Sequence, residues 1–85
     1  MHYHGVGHCD ESSGYYMGWD GLGEESEGDC KQLCMMESKC TFAAYFNDGD
    51  SKSCSRYEGE TCPLIASDDH TRAHTTFSKK GSFQI

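Results

Sequence analysis

At 85 residues the chain allows one domain and excludes a large catalytic one. Hydrophobic residues make up only 35% and just six residues are Val, Ile or Leu, so a large aliphatic core is out of reach and staples are needed. The net charge of -7 argues against nucleic-acid binding, and no apolar run approaches the roughly 18 residues of a membrane-crossing helix.

The chain begins with a His-rich segment, residues 1–9, in which His2, His4 and His8 precede Cys9 and Asp10. This end is polar and does not read as a signal peptide, so the sequence is expected to start at a mature boundary. Were maturation to expose His2, its free amine, two amide nitrogens and the His4 ring would offer a square-planar Cu(II) or Ni(II) site. His2, His4 and His8 are therefore the candidate metal ligands, and copper or nickel is the one cofactor considered. A retained Met1 would spoil that site.

Residues 10–29 are acidic and Gly-rich. The first thirty residues carry seven acidic side chains (Asp10, Glu11, Asp20, Glu24, Glu25, Glu27, Asp29) and no Lys or Arg. Residues 31–85 balance seven acidic against seven basic side chains, so the whole net charge sits in the first third. We expect a long Gly-bent connection around one short aromatic strand. Alternation would put Tyr15, Met17 and Trp19 on one face and Tyr16 on the other. Tyr16 and Trp19 with Asp20 are candidate ligand contacts, since aromatic faces stack on sugar C–H surfaces and carboxylates accept sugar hydroxyls. The competing reading makes these rings the core, because aliphatic residues are scarce. The same acidic stretch is where a basic partner would dock.

Ser26-Glu-Gly-Asp29 reads as a helix start, with Ser26 as cap and acidic residues in the first turn. Cys30, Leu33 and Cys34 then share one face, and the helix is expected to end near Ser38 or Lys39, where Lys39 suits the C-terminal dipole. Cys40-Thr-Phe-Ala-Ala-Tyr-Phe46 is β-prone, with Phe42, Ala44 and Phe46 on one face. Asn47-Asp-Gly-Asp-Ser51 is a turn, and Cys54-Ser-Arg-Tyr57 returns as the hairpin partner. Lys52, Arg56 and Tyr57 are candidate polar contacts there, against the reading of a solvated strand face. Cys62-Pro-Leu-Ile65 is a short strand that Pro63 marks as an edge. Ser67-Asp-Asp-His70 reads as loop, and His70 and His74 with Asp68 and Asp69 form a second loose cluster of possible metal-ligating groups, read by default as a solvated loop. Thr75-Thr-Phe-Ser-Lys79 closes the fold, and residues 80–85 are a tail.

An even number of cysteines in so short a chain favours three disulfides and an oxidising setting, secreted or lumenal. The spacing C-x3-C-x5-C-x13-C-x7-C lacks the C-x2-C or C-x4-C knuckle of structural zinc sites. Six cysteines allow about 15 pairings. Cys30 and Cys34 project in parallel from the helix, so each should reach elsewhere.

The run Cys30-Lys-Gln-Leu-Cys34, then Cys40-Thr-Phe-Ala-Ala-Tyr-Phe46, then Cys54-Ser-Arg-Tyr57 resembles the PAN/apple domain family. The resemblance spans roughly Gly14 to Lys79. It implies an α+β fold in which a curved antiparallel sheet cradles one helix, and it implies the bonds Cys34–Cys40 and Cys30–Cys54. Cys9–Cys62 is the leftover pair. In six-cysteine apple domains the outer bond joins residues near both termini; Cys62 lies well before the end, a departure from the pattern.

On this reading residues 1–9 are an N-terminal segment, 10–79 a single apple-like domain with its disulfide core at 30–79, and 80–85 a tail. The family consists of binding modules. The expected function is therefore non-enzymatic recognition of a protein or carbohydrate ligand. No G-x-S-x-G, H-E-x-x-H or P-loop argues otherwise. The alternative is a small structural or subunit protein that docks a partner through residues 10–29.

Overall fold

A computed structural model describes residues 1–10, the backbone of 15–20, and residues 26–79. In chain order its elements are β1 (His2–Val6), β2 (His8–Cys9), β3 (Tyr15–Asp20), α1 (Glu27–Met36), β4 (Phe42–Asn47), β5 (Lys52–Glu58), β6 (Leu64–Ile65), α2 (Asp69–Arg72) and β7 (His74–Ser78). The result is a small disulfide-rich α+β fold. β1, β7, β4, β5 and β3 form one five-stranded antiparallel sheet in that order, and β2 pairs with β6 in a separate two-stranded one.

α1 starts where its cap is written. The Asp29 amide donates to Ser26 Oγ at 3.1 Å, and the Ser26 amide donates to Asp29 Oδ2 at 3.3 Å. The helix stops at Met36, short of the expected Ser38 or Lys39. A helix continued to residue 40 would separate Cys34 and Cys40 by about 9 Å, beyond disulfide reach. The chain turns instead and holds their Cα atoms 5.2 Å apart. The cation at this helix end comes from far along the chain: Lys79 Nζ donates to the Glu37 carbonyl at 2.8 Å.

β4 is the central strand, and both its faces are buried. Ala43 and Tyr45 pack with Cys30, Cys34, Cys40 and Cys54 beneath α1. Phe42 and Ala44 pack on the other side with Cys9, Tyr57 and Cys62. The turn after β4 is built by side chains. Asn47 Oδ1 accepts from the Gly49 amide at 2.9 Å, and Asp48 Oδ1 accepts from the Asp50 and Ser51 amides at 2.9 and 2.8 Å.

The bonds are Cys9–Cys62, Cys30–Cys54 and Cys34–Cys40, the three pairs expected, and no cysteine is free. Three such bonds in a small domain are compatible with an oxidising or extracellular location.

Besides the helix end, three sequence expectations change here. The His-rich first residues are an edge strand of the main sheet, paired with β7. The stretch read as loop at 67–70 begins a second short helix, because Asp68 and Thr71 close a capping box: the Thr71 amide donates to Asp68 Oδ1 at 2.8 Å and the Asp68 amide to Thr71 Oγ1 at 3.0 Å. His74, expected in solvent, is buried on β7.

Candidate functional site

β2 and β6 form a flap over the sheet face opposite α1. Gly7 makes the corner into it with φ +111°, and a Cβ there would lie 2.4 Å from the Ile65 carbonyl oxygen. Beside this flap lies a groove of about 440 Å³ lined by His4, Phe42, Glu60, Thr61, Cys62 and Pro63. Its size falls within the range of small-ligand clefts. The Phe42 ring forms the floor and His4 leans against it, with centroids 5.3 Å apart. A carbonyl can only accept, so the 2.8 Å contact from His4 Nε2 to the Cys62 carbonyl places the ring proton on Nε2 and leaves Nδ1 as an acceptor. Glu60 and Thr61 stand exposed at the rim. The groove is thus an apolar slot edged by a carboxylate, a hydroxyl and an imidazole nitrogen.

None of these six residues except His4 was singled out as a contact in the sequence. They come from three separate parts of the chain, brought together by the β1–β7–β4 pairing, the His4 contact to the Cys62 carbonyl, the Cys9–Cys62 bond and the Asp10 amide donating to the Pro63 carbonyl at 2.9 Å. The single local signal was Pro63, which marked an edge.

The residues expected as contacts are distributed otherwise. Lys52, Arg56 and Tyr57 do not form one patch. Tyr57 is buried on the flap side, while Arg56 sits on the α1 side, where its Nε donates to Glu37 Oε1 at 2.6 Å. Its Nη1 is buried without a hydrogen-bond partner among the described residues. Lys52, at the start of β5, is half-buried. The backbone of Tyr16, Trp19 and Asp20 lies in β3 opposite Tyr57, Ser55 and Cys54. A register shift between Tyr16 and Gly18 interrupts the alternation expected for this strand, so Tyr16 and Trp19 fall at equivalent register positions. Their side chains lie outside the described residues. Of the seven acidic groups in the first thirty residues, Glu27 pairs with Lys31 at 3.2 Å and Asp29 serves the helix cap. Asp10 is half-buried beside β2; Glu11, Glu24 and Glu25 lie outside the described residues.

The histidines disperse as well. His2 is exposed on β1, His4 is committed to Phe42 and Cys62, and His8 packs against His74 with centroids 4.9 Å apart. Met1 packs against the cluster beneath α1. Among the described residues no three His, Cys, Asp or Glu side chains are placed to hold a metal ion, so His2, His4 and His8 are not brought together as ligands.

Asp48, Asp68 and His74 titrate away from their ordinary values. The Ser51 and Asp50 amides hold the Asp48 carboxyl below the usual carboxylate range. The Thr71 amide and hydroxyl do the same for Asp68. Burial pushes His74 down, and the neighbouring His8 and His70 rings add to that.

Comparison with protein-family models, with curated proteins and with solved structures finds no match. Among the described residues no helix is long and apolar enough to cross a membrane.

Proposed function

We propose that the chain is a non-enzymatic recognition module of PAN/apple type, secreted or lumenal, that takes a protein ligand in the groove beside the flap. The likeness to that family rests on the cysteine framework and on the helix–strand–strand order. The observation that carries the binding reading is the slot floored by Phe42 and walled by His4 and Pro63, with Glu60 and Thr61 at its rim. Such a slot suits one apolar side chain of a protein, with a neighbouring cation on Glu60. A glycan is the less fitting occupant, because sugar hydroxyls need more donors and acceptors than this rim offers.

A displayed random-peptide library and a glycan array, each probed with the oxidised chain, test the reading. Selected peptides should share an apolar residue next to Lys or Arg. Their affinity should fall about tenfold in Thr61→Arg, which fills the slot from an exposed position and repels the cation, a loss of about 1.4 kcal/mol. Glycan binding alone, or peptides indifferent to Thr61→Arg, would overturn it.

A further inference from the structure

His8, His70 and His74 come from β2, α2 and β7, yet their rings meet in one cluster with Phe46 of β4. The His74 ring lies 4.9 Å from His8, 5.4 Å from His70 and 4.8 Å from Phe46, and Phe46 is also 4.8 Å from His70. His74 is the centre and is 7% exposed. Its Nδ1–H is shared between the His70 and Thr71 carbonyls at 3.1 Å each, which holds the ring against the end of α2. His8 points its Nδ1–H at its neighbour, the Cys9 carbonyl, at 3.0 Å. The bonds of the His8 and His74 rings go to backbone carbonyls.

We propose that this imidazole cluster is an acid-operated release for the β2/β6 flap and α2. While the rings are neutral they pack edge to face, and the cluster pins both elements to β7 and β4. Protonation puts cations about 5 Å apart around an apolar ring, where their repulsion is poorly screened. Charged groups stand around the cluster on α2 and on the neighbouring loops. On α2 and its cap stand Asp68, Asp69 and Arg72, and Asp69 is paired with Arg72 at 3.1 Å. Asp48 in the β4–β5 turn and Asp68 attract His70, the outermost ring. Asp10, half-buried, follows β2 two residues after His8, while β4 and β6 contain no charged residue.

The flap is built to move as a piece. Cys9–Cys62 ties β2 to the segment leading into β6, not to the main sheet. Glycines with positive φ stand on both approaches, Gly7 before β2 and Gly59 before the β6 segment. Beyond packing, the described bonds that hold the flap to β7 are few: the Gly7 amide donates to the His74 carbonyl at 2.9 Å, and Thr76 Oγ1 donates to the Gly7 carbonyl at 2.5 Å. Acid release swings the flap from Phe42, Ala44 and Tyr57 while the α1 side stays closed.

Native-state amide exchange on the oxidised full chain tests this, with rates corrected for the intrinsic effect of pH, between about pH 7.5 and about pH 5. Residues 8–9, 64–65 and 69–74 should lose protection about tenfold on acidification, and residues 43–45 and 53–56 should not. His8→Phe and His74→Phe should each abolish most of that acid response, while His2→Asn leaves it intact. His8→Phe replaces only a half-buried ring, so it folds even where His74→Phe fails. A pH-independent pattern, loss of protection spread over both faces, or an acid response retained in His8→Phe would overturn the proposal.

Discussion

One face of the five-stranded sheet is closed by a ten-residue helix, the other by two strands of two residues each and a four-residue helix. On the α1 side the contacts are mostly local and covalent. Cys34–Cys40 spans 6 positions, Cys30–Cys54 spans 24, and the Arg56–Glu37 pair seals the helix end. On the flap side a single bond spanning 53 positions is joined by aromatic and imidazole packing. The same chain thus closes one face firmly and the other loosely. The loosely closed face is the one that carries the groove and the histidines.

The largest expected effect is loss of the fold on full reduction, which removes near-UV circular dichroism. Taken singly, loops of about 54, 25 and 7 residues are worth roughly 4.2, 3.5 and 2.4 kcal/mol to close, against a whole stability of about 5 kcal/mol for a small domain. The paired change Cys9→Ala with Cys62→Ala should therefore cost more than Cys34→Ala with Cys40→Ala, and urea midpoints will rank them. It should also remove amide protection from 64–65 before 43–45.

Gly7→Ala comes next. It forces a side chain into positive φ and against the Ile65 carbonyl, so a loss of at least about 2 kcal/mol is expected, confined at first to the flap. The counterpart on the α1 side is Glu37→Gln. It leaves the largely buried Arg56 guanidinium without its counter-charge and should cost about 2 kcal/mol in chemical denaturation. An effect near zero would mean that Arg56 is held from elsewhere.

The two helix caps allow a like-for-like comparison. Ser26→Ala and Asp68→Ala each remove one cap and should each cost about 1 kcal/mol. Asp68→Ala should in addition shift the NMR titration of His74, because α2 positions its ring, whereas Ser26→Ala should not. The smallest effect is with pH. His74 is held below its ordinary value of 6.5, so the unfolded chain binds more protons in that window. Stability is complete above about pH 6.5 and falls as pH drops through the lowered value. Asp48 and Asp68 are held below 3.8, so their contribution is complete above that pH and is lost below it. Thermal melts across this range should show two separate declines, the first absent in His74→Phe.

The comparison also explains which features were legible in advance. The α1 side was readable because its determinants are close in sequence: the Ser26 and Asp29 cap, the one-turn spacing of Cys30 and Cys34, the side-chain-built turn at 47–51, and the β4–β5 hairpin. Where local rules were read too far, a long-range constraint decided. Lys39 looked suited to the helix end, but Lys79 took that place because β7 delivers it there. On the flap side the short strand at 62–65 and the Cys9–Cys62 bond were expected, but not what they pack against. Residues 1–9 were read as a segment outside the domain, yet they pair with the strand nearest the other end of the described chain. Arg56 and Tyr57, adjacent in sequence, face opposite sides of the sheet, which is why they make no patch.

Composition and spacing alone determined that this polar chain depends on disulfides, that one helix carries two of the cysteines, and that a β-hairpin follows it. These follow from cap chemistry, helical period and turn residues, all acting within a few positions. The groove of His4, Phe42 and residues 60–63, and the meeting of His8, His70 and His74, were decided only by tertiary structure. A period-two strand pattern states which residues share a face but not which strands become neighbours, and strand order brought these residues together.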